Sequence, residues 1–373
     1  MTASARTGGL PILGPLSTPA RAFLLGTLAV SFLTIVLRFV VSVDDTVLFV
    51  VSATGILGLA WTVGLSTERL GSLTGPQVGG ILNATFGNIA ELIIAFFALR
   101  EGLIEVVKAS LTGSIIGNLL LVLGASVLIG GLRHGTQTFS RQVASSNAAL
   151  LVVALVGLFV PAVFAFTSDS SQGTITEESV LVSFALIAGY GLSLVYSFSN
   201  PKATLGGHGV PAGHAGPAWT ARAAIAVLVA SAALLAVLSE TLVGSIEGFI
   251  AQFHLSEFFV GVVIIPTIGN LAEHLVAVQL AYKNKMEFAM AVAYGSSLQV
   301  ALFVAPVLVL IGVLIGQPMD LVFTPLEVAA VAAAVGISAL IALDGESNWL
   351  EGALLIIVYA ILAVSFFEFQ QPV

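Results

Sequence analysis

Long apolar runs, separated by short polar or Gly/Pro-rich breaks, follow one another along the whole sequence. An α-helix needs about 20 apolar residues to cross a bilayer core about 30 Å thick, and eleven runs are long enough. The pattern therefore predicts eleven transmembrane helices. Their approximate extents are 21–43, 46–68, 76–99, 106–131, 145–166, 177–199, 219–243, 257–282, 286–315, 321–342 and 348–368.

The composition supports an integral membrane protein and excludes several other classes. Of the 373 residues, 58% are hydrophobic and only 9% are charged, and the mean hydropathy is +1.08, whereas soluble domains average about 25% charged residues. The first run is too long for a secretory signal peptide and has no small-residue cleavage site. The absence of cysteine excludes disulfides and thiolate metal sites. The net charge of -8 argues against a nucleic-acid partner.

The distribution of basic residues predicts the orientation in the membrane. If the N-terminus is cytoplasmic, nine basic residues fall on that side, namely Arg6, Arg21, Arg69, Arg133, Arg141, Lys202, Arg222, Lys283 and Lys285, and three fall on the other, namely Arg38, Arg100 and Lys108. Cytoplasmic loops carry the excess of Lys and Arg. We therefore expect a cytoplasmic N-terminus and, after an odd number of spans, an outside C-terminus, in a prokaryotic cell (inner) membrane.

One segment of the sequence occurs twice. The stretch "GNIAELIIA", which starts at Gly87, lies 182 residues before "GNLAEHLVA", which starts at Gly269. With this offset, residues Gly79 to Gly130 align with the later part of the sequence without a gap. Polar residues match under it: Thr85 with Thr267, Asn88 with Asn270, Glu91 with Glu273, Glu105 with Glu287, and Ser114 with Ser296. Such matches indicate an internal duplication.

The duplication predicts the fold class and the organisation of the chain. The shift places the third helix on the eighth, five spans later, so the two copies have opposite orientations. We expect an all-α integral membrane protein with two inverted five-helix repeats and an extra N-terminal helix, as in many secondary transporters. The predicted parts are 1–45 (tail and first helix), 46–199 (first repeat, helices 2–6), 200–218 (Gly/Pro-rich linker) and 219–373 (second repeat, helices 7–11).

Two glutamates lie at matched positions inside these apolar helices. Glu91 and Glu273 each sit about two thirds along their helix, so opposite orientations bring both towards the midplane, where a charge costs several kcal/mol. An isolated buried glutamate can be purely structural, but the duplication disfavours that alternative. Asn88 and Asn270, three residues earlier, share a helix face with the glutamates. The Gly-Asn pairs predict a weak point in both helices, with freed carbonyls as candidate ligands.

The residues around the glutamates predict a cation site. Carboxylates, amides and the hydroxyls of Ser114 and Ser296 form an all-oxygen set, which suits Ca²⁺. Burial of an empty carboxylate favours its protonated form. Cation and protons would therefore compete for the same groups, which couples their movement in opposite directions. No cofactor is expected apart from the transported Ca²⁺.

These motifs resemble a known family. "GNIAELI" and "GNLAEHL", followed by "GSIIGNLLLVLG" and "GSSLQVALFVAP", are similar to the two alpha-repeats of the calcium/proton exchangers in the calcium/cation antiporter superfamily, and "SETLVGSIE" at Ser239 resembles the segment before the second repeat. The resemblance implies that Glu91 and Glu273 bind Ca²⁺ and protons during transport. It implies further ligands at Asn88, Asn270, Ser114, Ser296 and Gln299. The linker departs from many relatives, since "GGHGVPAGHAGP" replaces an acidic stretch.

Several alternatives stay open at this point. His274 follows Glu273 and is either a proton relay or a structural histidine, and Asn118 and Gln299, one position apart in the repeat register, are each either a ligand or a packing residue. His208 and His214 are better explained as linker residues than as a metal sensor. A sodium/calcium exchanger shares the architecture but should need more acidic residues at the site, and an exchanger of another divalent cation is a further alternative. A channel is disfavoured by paired titratable sites in inverted repeats.

An enzyme is disfavoured for a different reason. An intramembrane hydrolase would need a nucleophile with a base, or a metal motif such as H-E-x-x-H, and neither is found. The expected partners are Ca²⁺, protons and the lipid bilayer, and a homo-oligomer is compatible with the sequence.

Overall fold

The computed structural model of the chain describes residues 12–75, 82, 85–167, 171–199 and 218–368, and most of these residues are helical. The helices are α1 Thr18–Phe39, α2 Asp45–Thr74, α3 Ile89–Arg100, α4 Ile104–His134, α5 Arg141–Thr167, α6 Gln172–Ser199, α7 Ala221–Gly244, α8 Ile246–Phe253, α9 Glu257–Tyr282, α10 Met286–Ile315, α11 Pro325–Ile341 and α12 Trp349–Glu368. Two short strands, β1 Gln137–Thr138 and β2 Glu346–Ser347, pair antiparallel. The expectation of an almost purely helical chain is confirmed for the described residues.

Each of the eleven predicted segments overlaps one of these helices. Within the described residues, nine helices are long and apolar enough to cross a membrane. The other two overlaps are with α3, which has 12 residues, and with α11, which has 17. The first part of the predicted third helix, 76–81, lies outside the described residues, as do 200–217 of the linker with His208 and His214. The count of eleven spans therefore stays a prediction.

Local hydrogen bonds set helix ends that apolar runs do not reveal. The tenth segment was expected to begin at 321, but α11 begins at Pro325 because Thr324 and Glu327 form a capping box there. The second was expected to end at 68, but α2 continues to Thr74. In its last turns, Arg69 Nε donates to the Trp219 carbonyl at 2.6 Å, which ties this end of α2 to the segment before α7.

The predicted weak points differ between the two copies. In the first copy the helix is interrupted by a turn at Gly87 and Asn88, and α3 begins at Ile89. In the second copy α9 runs through Gly269 and Asn270 without a break, so that half of the prediction is wrong. The distortion lies earlier, in a π-helical turn at Val260–Ile264. This wider turn precedes Pro266, whose ring would otherwise clash with the preceding turn.

The helices α4 and α10 form the centre of the molecule. In their most apolar windows, 72% of the residues of α4 and 61% of those of α10 are buried, against 22% for α1 and 17% for α12. The first half of α4 packs against the start of α9, and its second half packs against α12. α2 packs along α7, with α1 on its outer side. The least buried helices therefore surround a core that includes α3, α4, α9 and α10.

The contact between α4 and α9 depends on glycine. A Cβ atom added at Gly113 of α4 would collide with the Val262 carbonyl in the π-helical turn of α9, and one added at Gly261 would lie 3.0 Å from the Val106 carbonyl. Gly261 therefore lies where α9 approaches α4 closely. Gly295, which matches Gly113 in the repeat register, has no such neighbour within 4 Å.

We expect Gly113→Ala to destabilise the protein and Gly295→Ala to be tolerated. The first substitution must move one backbone against another, whereas the second enters open space and favours helix by about 1 kcal/mol. Thermal unfolding of the purified variants in detergent measures the difference. Equal midpoints for the two variants would show that the α4–α9 contact does not require glycine.

A buried ion pair fixes the connection between α10 and α11 onto α4. Lys108 Nζ lies 2.6 Å from Asp320 Oδ1, with 9% and 13% of the two side chains exposed, and also donates to the Val322 carbonyl at 3.0 Å. The residue that matches Lys108 in the second repeat is Met290. The pair therefore has no counterpart in the other copy.

Replacing Lys108 by Met should destabilise the fold by about 3–5 kcal/mol, because Asp320 would keep a buried charge without its partner. The double variant Lys108→Met/Asp320→Asn should recover part of the loss, since it removes both charges. Detergent-based unfolding of the single and double variants provides the test. A double variant no more stable than Lys108→Met would argue against an uncompensated charge as the cause.

Candidate functional site

Glu91 lies at the start of α3, buried between the two copies of the repeated motif. Its side chain is 7% exposed, and Oε1 accepts hydrogen bonds from Asn270 Nδ2 at 2.5 Å and from the Ser114 hydroxyl. Oε2 has no hydrogen-bond partner within the described part of the chain. Because the helix is interrupted just before Ile89, Glu91 lies in the first turn of α3, where the helix dipole favours a negative charge.

Gly269 of the second copy makes room for this arrangement. A Cβ atom at that position would lie 2.9 Å from Glu91 Cγ. The absence of a side chain at Gly269 lets α9 approach Glu91 closely enough for the Asn270 amide to reach the carboxylate. In the second copy, the glycine of the Gly-Asn pair therefore serves close packing rather than a break in the helix.

Glu273 occupies the middle of α9 and is half-buried. Asn270, three residues earlier on the same helix, donates a hydrogen bond to Glu91. The structure thus places the second predicted glutamate on the helix that bonds the first. Their surroundings differ, since Glu91 begins a helix and Glu273 lies inside one.

The asparagines connect the two copies in a matched way. Asn88 accepts a hydrogen bond from the Ser296 hydroxyl at 3.0 Å and donates to Gln299 Oε1 at 2.6 Å. Asn270 Nδ2 lies 3.4 Å from Ser114 Oγ. The pairs Asn88–Ser296 and Asn270–Ser114 are equivalent under the 182-residue shift. Each asparagine therefore bonds the serine of the opposite copy.

Two other polar residues near the motif have side-chain atoms without hydrogen-bond partners in the described part of the chain. His274 is half-buried, and its Nε2 has no hydrogen-bond partner among the residues that the structure describes. It matches Leu92 in the first copy, so only one repeat carries it. Asn118 is fully buried in a π-helical turn of α4, Gly117–Val122, and neither of its amide atoms has a partner within the described ranges.

A small cavity lies beside the Glu91 carboxylate, and sequence reasoning missed one of its polar residues. Its walls come from α3, α4, α9 and α10: Glu91, Ala95, Ser110, Leu111, Ser114, Ile265, Pro266 and Val300. Ser110 has no serine at the matched position, where Val292 stands, so the search for matched polar pairs did not detect it. Its spacing of four residues from Ser114 on one helix face was the available signal.

The arrangement can bind a hard cation or protons. Carboxylate, amide and hydroxyl oxygens of α3, α4, α9 and α10 converge on one buried region. The Glu91 carboxylate is held by neutral donors, and no Lys or Arg pairs with it among the ion pairs of the described residues. A positively charged ligand would therefore meet a negative charge that the protein leaves uncompensated.

Comparison with known proteins shows to which family the chain belongs. The family described as sodium/calcium exchanger protein matches residues 45–199 and 223–367. A Ca(2+)/H(+) antiporter of Synechocystis sp. is 45% identical over 345 residues, covering 87% of this chain and 91% of that protein. The Ca(2+)/H(+) antiporter ChaA of Bacillus subtilis is 42% identical over 326 residues, covering 87% and 92%. The solved structure of native YfkE matches with a TM-score of 0.80 at 38% identity, covering 93% of this chain and 100% of that one.

These relatives are membrane transporters, so the expectation of a transporter rather than an enzyme is confirmed. The matched ranges include both copies of the repeated motif and both glutamates. The chain therefore belongs to the sodium/calcium exchanger family and, within it, to the calcium/proton exchangers that its two motifs resemble.

Proposed function

We propose that this protein is a secondary active antiporter that exchanges Ca²⁺ for H⁺ across a membrane. Its relatives are named Ca(2+)/H(+) antiporters. The observation that carries the proposal is the buried Glu91 carboxylate, held by Ser114 of its own copy and Asn270 of the other. A charged group so placed in an apolar helix core is costly unless it binds a cation or a proton during function.

Calcium would bind to oxygens of both copies. The proposed ligands are Glu91, Glu273, Asn88, Asn270, Ser114, Ser296 and Gln299. Ca²⁺ accepts six to eight oxygen ligands in flexible geometry, so carboxylate, amide and hydroxyl oxygens all suit it. At present the Asn270 amide nitrogen faces Glu91 Oε1. Binding of Ca²⁺ would require the Asn270 side chain to turn its oxygen towards the site.

Coupling follows from competition for the two carboxylates. Either Ca²⁺ or protons on Glu91 and Glu273 cancel the buried negative charge, whereas two empty ionised carboxylates repel each other and are poorly solvated. The loaded forms can therefore change conformation more easily than the empty one. His274, beside Glu273 in sequence, is a proposed participant in proton movement. It lacks a hydrogen-bond partner on Nε2 among the described residues.

Alternating access would follow from two inverted repeats. The 182-residue register, the two ranges of the family match and the equivalent Asn–Ser pairs support this arrangement. We propose that α1, α2 and α7 slide against α3, α4, α9 and α10 while the glutamates stay in place. The N-terminus would be cytoplasmic and the C-terminus outside, in a prokaryotic cell membrane.

A sodium/calcium exchanger is the second candidate, because the matching family carries that description. Within the described residues, however, no cluster of three or more His, Asp or Glu side chains suits a metal ion. Moving several Na⁺ ions with one Ca²⁺ should require more carboxylate charge than Glu91 and Glu273 supply. Replacing Na⁺ by choline in a vesicle assay separates the two candidates, since only Na⁺-driven exchange would stop.

Calcium uptake into inside-out vesicles should be driven by an acid interior. Protons leaving through the exchanger would supply the free energy for Ca²⁺ entry, so a protonophore with a potassium ionophore should abolish uptake. ⁴⁵Ca²⁺ accumulation at a fixed external pH provides the measurement, with vesicles lacking the protein as the control. Uptake that does not depend on the pH gradient would contradict proton coupling.

Replacing either central glutamate by Gln should reduce exchange to the level of empty liposomes. Gln is nearly isosteric with Glu, so the protein should still fold, but it can neither release a proton nor supply a negative charge. Glu247→Gln is the matched control, because Glu247 is exposed on the short helix α8, and it should transport normally. Near-normal exchange by both Glu91→Gln and Glu273→Gln would place the site elsewhere.

A further inference from the structure

The α3 and α4 residues that line the cavity beside Glu91 indicate on which side of the site it lies. Ala95 lies one turn after Glu91 on α3, and Ser110 lies one turn before Ser114 on α4. Because α3 and α4 are joined by the short turn at 101–103, both residues lie on the side of the site nearer this turn. The cavity therefore lies on the side of Glu91 that is nearer the α3–α4 turn.

Ser110 is one of the polar residues that line this cavity. Its side chain is 8% exposed, and its hydroxyl donates to the Val107 carbonyl of its own helix at 2.8 Å. With the proton used in this bond, the lone pairs of the oxygen remain available to a cation. Glu91, whose Oε2 has no hydrogen-bond partner among the described residues, lines the same cavity.

The spacing suits stepwise movement of a cation. One helical turn separates Ser110 from Ser114, a rise of about 6 Å along α4. An ion leaving Glu91 could thus exchange one hydroxyl ligand for the next while water completes its shell. A serine whose proton is held by the Val107 carbonyl is a better ligand for a cation than a relay for protons.

The second repeat lacks this feature. The residues that match Ala95 and Ser110 are Ala277 and Val292, so the equivalent positions towards the α9–α10 turn carry no hydroxyl. At these two matched positions, a hydroxyl therefore occurs in the first copy only. Any contribution of Ser110 to transport should affect one membrane face more than the other.

We propose that Ser110 is a further Ca²⁺-binding residue, which ligates the ion as it passes between Glu91 and the membrane face of the α3–α4 turn. The proposal rests on the function proposed above, because it takes Ca²⁺ as the ion bound at Glu91. Ser110 is not one of the polar residues that match between the two copies. The proposal also predicts that the two directions of approach to the site are unequal.

The test compares Ca²⁺ dependence on the two faces of proteoliposomes with oriented protein. Ser110→Ala should raise the half-saturating Ca²⁺ concentration on the face of the α3–α4 turn by about 3- to 10-fold, the range expected for one lost polar interaction. The opposite face should change little, and Ser110→Thr should restore the lost affinity. Ser52→Ala is the control, because Ser52 on α2 is also buried and bonded to its own helix but does not line the cavity.

Labelling provides a readout that is independent of transport. In this cysteine-free chain, Ser110→Cys should react with a membrane-impermeant methanethiosulfonate from one face only, and Ca²⁺ should slow the reaction. Ala109→Cys should stay unlabelled, since Ala109 is fully buried against α9. A cysteine in place of the exposed Glu101 identifies the face of the α3–α4 turn.

The outcomes separate this proposal from the proposed function. If Glu91→Gln abolishes exchange but Ser110→Ala matches the wild type on both faces, or Ca²⁺ does not protect Ser110→Cys, the role of Ser110 is refuted and the antiporter proposal stands. Equal effects of Ser110→Ala on both faces would also refute it. Full exchange by Glu91→Gln would instead refute the proposed site itself.

Discussion

The cost of a negative charge inside an apolar helix bundle is the constraint on which the rest of this structure depends. Glu91 is almost completely buried, and the groups that bond it are neutral. Hydrogen bonds from Ser114 and Asn270 lower the cost of its charge but do not cancel it. In the proposed function, a positively charged ligand, Ca²⁺ or a proton, would neutralise this charge and that of Glu273. Binding and release of that ligand would then control the conformation of the protein.

This constraint also explains why the two copies hold each other so closely. The groups that stabilise Glu91 come partly from the opposite copy, and Asn88 in turn bonds Ser296 and Gln299. Close approach of backbones at Gly113 and Gly269 makes these contacts geometrically accessible. A displacement of one copy relative to the other would therefore change the ligand set of the site. In the proposed mechanism, these few contacts would link ion binding to helix movement.

The duplicated parts have diverged where their roles differ. The first copy interrupts its helix at Gly87 and Asn88 and thereby gives Glu91 the N-terminal turn of α3, whereas Glu273 lies inside a continuous helix. Only the first copy has the buried Lys108 and the cavity residue Ser110. Sequence symmetry is thus greatest at the residues that meet in the centre and weaker towards the two membrane faces, where the repeats have separate surroundings.

Most of the helices and the central residues could be predicted from the sequence, because both follow from strong local signals. The bounds 257–282 and 286–315 agree with α9 and α10, since apolar length decides them. Features that depend on contacts between segments distant in sequence could not be predicted from local signals. In the second copy the helix is distorted in the π-helical turn before Pro266, and not at the Gly-Asn pair where the sequence predicted a weak point. The pairing of β1 with β2 joins segments about 210 residues apart, and Ser110 gains significance only from the walls around it.

The central claim is that Ca²⁺ and protons occupy the same two carboxylates in turn. Adding Ca²⁺ to the purified protein in weakly buffered detergent solution, with the pH recorded and Ca²⁺ binding followed by calorimetry, tests this claim without any membrane. The account predicts that binding releases protons from the wild-type protein and that the double variant Glu91→Gln/Glu273→Gln releases none. Saturable Ca²⁺ binding to the wild type with no proton release, at any pH where the empty site is protonated, would contradict it.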